Sequence, residues 1–140
     1  MAVTKKFPIE YTVSYSTLAV YKVYFGSHYF IWKSKAVKRG LESLAEQIER
    51  HVRLGRKLPD TDYLYHVINH IRRTRCIKAK VEMIQDDFDN TWEALVLEQQ
   101  LLDQGDEKCL NNNSDAYMSS WISEAEQKKF SRNYKKQTHI

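Results

Sequence analysis

The stretch that most constrains this chain runs from Ala19 to Leu41, AVYKVYFGSHYFIWKSKAVKRGL. Two runs rich in β-branched and aromatic residues, Ala19 to Phe25 and His28 to Trp32, flank Gly26-Ser27. A two-residue connection opening with glycine suits a tight type I′ or II′ turn, because glycine accepts positive φ without steric cost. That turn predicts a hairpin with a fixed register: Phe25 opposite His28, Tyr24 opposite Tyr29, Val23 opposite Phe30, Lys22 opposite Ile31 and Tyr21 opposite Trp32. Side chains alternate along a strand. Tyr21, Val23, Phe25, His28, Phe30 and Trp32 therefore share one face, and Lys22, Tyr24, Tyr29 and Ile31 the other. A basic segment, Lys33 to Arg39, leads from the hairpin into a helix.

A chain of 140 residues, 42% hydrophobic, fits a single domain with one modest core. The two cysteines, Cys76 and Cys109, stand far apart without metal-ligand spacing, which points to a reduced, cytoplasmic protein. No apolar run reaches membrane length, and the N-terminus lacks the apolar core of a signal peptide. Charge is unevenly spread. Residues 1–75 carry 14 Lys/Arg against 6 Asp/Glu, residues 76–115 carry 3 against 10, and residues 116–140 carry 5 against 2. A basic half beside an acidic segment fits a polyanionic partner and a metal site, or charges that compensate within one fold.

Ile9 to Ser16 alternates and is rich in Tyr, Thr and Val, predicting a strand that opens a three-stranded meander. Ser34 is placed to cap a helix over about Lys35 to Leu54, with Val37, Leu41, Leu44, Ile48 and Val52 inward and Gly55 as its stop. A second helix starts at Asp60 or Thr61 and reaches about Arg75, with Leu64, Val67, Ile68 and Ile71 inward. Arg72, Arg73 and Arg75 crowd its last turn, where cations suit the helix dipole or contact phosphates. Cys76 to Gln85 alternates as a half-exposed strand with Ile77, Ala79, Val81 and Met83 on one face. A third helix spans about Asn90 to Gln104, with Trp92, Leu95, Leu101 and Leu102 as core candidates. Ser123 and Glu126 form a capping box for a last helix to about Lys136, docked by Trp121, Ile122 and Phe130. The expected fold is α/β (α+β), in the order β-β-β-α-α-β-α plus a C-terminal helix, with a mainly antiparallel sheet.

A tyrosine on the first hairpin strand, an aromatic on the second and an arginine on the next helix resemble the GIY-YIG nuclease superfamily. Ala19-Val20-Tyr21 stands where that family has Gly-Ile-Tyr, and Phe30-Ile31-Trp32 where it has Tyr-Ile-Gly. Lys33-Ser34-Lys35 and Arg39 fill the turn and the arginine-bearing start of the helix. Two departures are Phe30 for the second tyrosine and Trp32 for the glycine. An alternative register sets Tyr24-Phe25-Gly26 on the second motif and Tyr11 or Tyr15 on the first, leaving a longer gap before the basic helix. The family core has the order β-β-α-α-β-α. The resemblance covers about residues 19–113 of a single domain spanning 1–140, with a C-terminal helical extension over about 117–136.

The resemblance implies Mg²⁺-dependent (or Mn²⁺-dependent) endonuclease action on DNA. Tyr21 is implied as the base or its hydrogen-bond partner and Arg39 as the cation facing the phosphate, with Lys35 or Lys38 as substitutes. Glu98 is implied as the catalytic metal ligand on the helix after the last strand. Lys33, Lys35, Lys38, Asn111 and Asn113 are the implied substrate-binding residues. Tyr21, Arg39 and Glu98 are then expected to converge on one concave surface. A mobile-element or phage setting follows by resemblance alone. The alternatives are an inactive domain of this type that binds nucleic acid or protein, and an interaction protein sharing only the fold. Read without the resemblance, Glu98 is a helix residue beside Gln99 and Gln100, and Tyr21 a sheet aromatic. His66 and His70, four apart on a helix, have metal-binding spacing but no third ligand, which favours an exposed or half-buried pair near Arg72.

Overall fold

The computed structural model describes residues 6–11, 18–55, 58–59, 64–111, 125 and 128–129. In chain order the elements are β1 (Ile9–Glu10), β2 (Ala19–Phe25), β3 (His28–Ser34), α1 (Val37–Leu54), α2 (Tyr65–Thr74), β4 (Ala79–Gln85) and α3 (Thr91–Asp103). They form a small α/β unit with a four-stranded mixed sheet in the order β1-β4-β2-β3. The β2–β3 hairpin has the register expected from its turn, from Phe25 opposite His28 to Tyr21 opposite Trp32, and continues to Ala19 opposite Ser34. Gly26 has φ of 70° and Ser27 is not in the positive-φ region, the pattern of a type II′ turn.

Strand β2 is central, antiparallel to both β3 and β4. Its alternating side chains therefore enter two different layers. Tyr21, Val23 and Phe25 join Phe30 and the inward residues of α1 and α2, including Val37, Leu41, Ile48, Val67 and Ile68. Val20 and Ile31 instead join Ala94, Leu95 and Leu102 of α3, with Cys109. The sheet is thus covered on both faces, and β2 is buried nearly throughout.

Several expectations are corrected. The first strand does not extend the hairpin into a meander. Ile9 and Glu10 pair in parallel with Ala79 and Lys80 of β4 on the far side of the sheet. A crossover through the hairpin and two helices separates them, and parallel pairing requires such a connection. The rest of that expected strand, residues 12–17, lies outside the described residues. Helix α1 is capped at Ala36 without a side-chain hydrogen bond, so Ser34 is not its cap. Strand β4 begins at Ala79, and Ile77 is 79% exposed because the strand starts after it. Leu95 and Leu102 are buried as expected, whereas Trp92 and Leu101 are only half-buried.

Local chemistry explains the helix ends. Asn90 caps α3 by accepting from the Glu93 amide at 3.0 Å, while Glu93 accepts from the Asp89 amide at 3.3 Å. Gly55, with φ of 64°, closes α1. Among the described residues no helix is long and apolar enough to cross a membrane. Most of the expected C-terminal helix lies outside the described residues.

Candidate functional site at the open end of the hairpin

Strand β3 ends in Trp32-Lys33-Ser34, and strand alternation sends Lys33 and Ser34 to opposite faces of the sheet. Each makes one short polar contact there. On the α3 side, Lys33 Nζ donates to Glu98 Oε1 at 2.6 Å, with side chains 10% and 3% exposed. On the α1 side, Ser34 Oγ and the fully buried Tyr21 hydroxyl share a hydrogen bond of 2.6 Å. Gly40 makes the second contact possible. A Cβ there would collide with the Ser34 hydroxyl and lie 2.9 Å from Ser34 Cβ and 3.4 Å from Tyr21 Oη.

The electrostatics follow from burial. Desolvation holds the Glu98 carboxyl above the usual carboxylate range, against the pull of the Lys33 charge and its hydrogen bond. Burial pushes the Tyr21 hydroxyl far above its ordinary value. The Ser34 hydrogen bond opposes that rise and the Glu98 charge adds to it. Glu98 therefore acts electrostatically on Tyr21, although the two side chains belong to layers on opposite faces of the sheet.

Of the three residues expected to converge on one concave surface, Tyr21 and Glu98 are buried and Arg39 is exposed. Ser34 and the tight approach of Gly40 enclose the Tyr21 hydroxyl, Lys33 covers the Glu98 carboxylate, and Arg39 is exposed on the first turns of α1. Lys35 and Lys38 are exposed beside it, and the first turn of α1 contains no acidic residue. Phe30 is fully buried on Tyr21's face, with its ring stacked on Trp32 at 5.0 Å between centroids.

Asn111 has a distinct task. Its Oδ1 accepts from the Ile31 amide at 3.0 Å, and its Nδ2 donates to the Ile31 carbonyl at 2.7 Å. Nearby, the Tyr29 amide donates to Lys108 O and the Leu110 amide to Tyr29 O, at 2.9 Å and 2.7 Å. The chain after α3 thus satisfies the outer edge of β3, which would otherwise present unpaired backbone groups. Asn113 lies outside the described residues.

Sequence reasoning missed three partners. The sequence suggests phosphate for Lys33, a helix cap for Ser34, and an exposed or half-buried pair for His70. His70 is 3% exposed, its Nε2 lies 2.8 Å from Phe25 O, and its ring packs 4.4 Å from that of His28. His66 is exposed. Extending the hairpin alternation two residues past Trp32 is the signal that would have separated Lys33 from Ser34. Elsewhere, Phe88, Trp92, Val96 and Leu97 line an open groove of about 490 Å³ along the outer side of α3. Among the described residues, no group of three or more His, Cys, Asp or Glu side chains is disposed to hold a metal ion. Compared with protein-family models, with curated proteins and with solved structures, the chain has no significant match.

Proposed function

We propose that this chain is a nucleic-acid-binding domain on a GIY-YIG-like scaffold, with the site of phosphodiester cleavage closed by its own side chains. The buried Lys33–Glu98 pair carries this reading. Mg²⁺ is held by one or two carboxylates, water and substrate phosphate at about 2.1 Å. Here the one carboxylate assigned to that role already faces an ammonium group at 2.6 Å. The residues present do not fit a resident divalent ion, and no hydrolytic step is assigned to one. Two further features agree. A buried tyrosine with a raised pKa stays protonated and is a poor base. Phe30 supplies no second hydroxyl. The succession β2-β3-α1-α2-β4-α3 supports the likeness to the family's element order.

Binding is supported by the start of α1. A helix N-terminus already carries partial positive charge, and anions are stabilising there. This one instead gathers exposed Lys35, Lys38 and Arg39 with no acidic residue in its first turn. A phosphate backbone is complementary in charge to that surface. Arg72, Arg73 and Arg75 are exposed at the end of α2 and extend the cationic surface of the basic half.

Fluorescence anisotropy with labelled duplex DNA tests this reading. Affinity is expected to fall log-linearly with salt. Reversing Lys35, Lys38 and Arg39 to Glu is expected to weaken binding by at least about tenfold, since each removes a phosphate contact. No binding at low salt would overturn it in favour of a protein partner. Nicking of supercoiled plasmid in Mg²⁺ or Mn²⁺, lost in Glu98→Gln, would instead favour Mg²⁺-dependent cleavage at this site.

A further inference from the structure

We propose that the groove along the outer side of α3 is the seat of the chain's own C-terminal helix, which lays Phe130 and Tyr134 into it. The groove holds about 490 Å³, and Phe88, Trp92, Val96 and Leu97 form its apolar lining. These four are half-buried and back onto the layer of Val20, Ile31 and Leu95. A helix packed on a sheet ordinarily turns one apolar stripe inward and a polar face outward. Helix α3 instead carries Val96 and Leu97 beyond its inward stripe of Ala94, Leu95 and Leu102, which leaves a second apolar surface for another element.

Spacing, charge and reach identify the occupant. Ala125, Lys128 and Lys129 are helical and exposed. Steps of three and four residues put them on one face of their helix. At 3.6 residues per turn, Phe130 and Tyr134 fall on the opposite face, four residues apart. Two neighbouring aromatic rings are thus offered to a groove with apolar walls. Charge agrees. Residues 81–107 hold nine Asp and Glu and no Lys or Arg. Asp86, Asp87 and Asp89 flank Phe88 and are exposed, as is Glu93 on the rim. Residues 116–140 carry 5 Lys/Arg against 2 Asp/Glu. On the seated helix those cations lie about 10 Å, one helix diameter, from the carboxylates, so the attraction is long-range and screened by salt. Reach is not limiting. Asn111 is held against Ile31 of β3, two strand spacings across the sheet from β4, whose Gln85 edges the groove. Residues 112–124 span up to about 45 Å when extended, against about 10 Å for two strand spacings.

Nuclear magnetic resonance of the full chain with ¹³C-labelled methyl groups tests this. Ring protons of Phe130 and Tyr134 are expected to show nuclear Overhauser contacts to the methyls of Val96 and Leu97. Phe130→Ala with Tyr134→Ala is expected to abolish those contacts and to move the Val96 and Leu97 methyl resonances. The methyls of Val23 and Leu41, in the layer on the other face of the sheet, are expected to stay in place. Absence of the contacts in wild type, or Val96 and Leu97 resonances unmoved in the double variant, overturns the inference. Mixing ¹³C-labelled with unlabelled chains separates the other occupant: contacts found only between chains place a second copy in the groove and also overturn it. Should the double variant fail to fold, the wild-type contacts and the mixed sample decide alone. No readout involves DNA, so failure of nucleic-acid binding and failure of this docking are separate results.

Discussion

The two faces of the sheet are built on different terms. The α1/α2 face is covered by two helices whose inward residues are almost all aliphatic, and at the hairpin's open end it buries the hydroxyl pair of Tyr21 with Ser34. The α3 face has a smaller apolar cluster and also buries Glu98, Gln99 and Asn111. An apolar face is stabilised by area and shape and tolerates exchange among similar hydrophobes. A face that buries charge holds only while each polar group keeps its partner. The two faces should therefore fail differently when damaged.

The largest expected effect lies on the α3 face. Glu98→Ala leaves the Lys33 ammonium facing an apolar layer, and breaking a buried pair in this way costs about 3 kcal/mol or more. Lys33→Met with Glu98→Leu removes both charges at similar volume and is expected to be neutral or stabilising. Urea unfolding, compared by midpoint at constant slope, reads both. If the double variant loses as much as Glu98→Ala, the pair is more than a balanced charge and the contrast between the faces is wrong.

The same contrast explains what was legible in the sequence. Hairpin register followed from Gly26-Ser27 because turn geometry is local. Helix α1 and its inward residues followed from periodicity because one side of that helix is apolar and the other is not. Helix α3 has apolar residues on several sides and polar ones inward, so periodicity placed Trp92 and Leu101 in a core they only half enter and left Glu98 unpartnered. The pairing of β1 with β4 is set by a long crossover, which no local pattern encodes. Tyr21, Glu98 and Asn111 were picked out by resemblance and are all buried. Their partners, Ser34, Lys33 and the Ile31 backbone, depend on which face each β3 residue meets.

A smaller effect is expected on the α1/α2 face, where shape rather than charge is limiting. Within a helix, Gly→Ala ordinarily stabilises by about 1 kcal/mol. At Gly40 the added methyl meets the Ser34 side chain, so the sign should reverse to a loss of about 1–2 kcal/mol from overpacking. Ser34→Ala in the Gly40→Ala background removes the colliding oxygen and should recover part of that loss, although Ser34 Cβ remains 2.9 Å from the new methyl. Thermal unfolding of the three proteins checks the order. A stabilised Gly40→Ala would mean that this end of the face is looser than its packing implies.

The smallest effect tests whether charge matters anywhere on the α1/α2 side. His28 follows the turn, packs on His70 of α2 and is partly exposed. Desolvation lowers its pKa below the ordinary 6.5; His70, Arg73 of α2 and Lys108 after α3 lower it further, and Asp106 opposes them. The folded state thus prefers the neutral ring. That preference contributes its full stability above about pH 6.5 and is lost as pH falls through the lowered value, since the unfolded chain then binds the proton more readily. His28→Gln keeps a polar side chain without titrating. Wild type should therefore lose melting temperature relative to His28→Gln as pH falls from 7.5 to 5.5, by less than either change above. High salt should shrink the difference by screening Arg73 and Lys108. A difference that stays constant with pH would mean that His28 does not sense those cations.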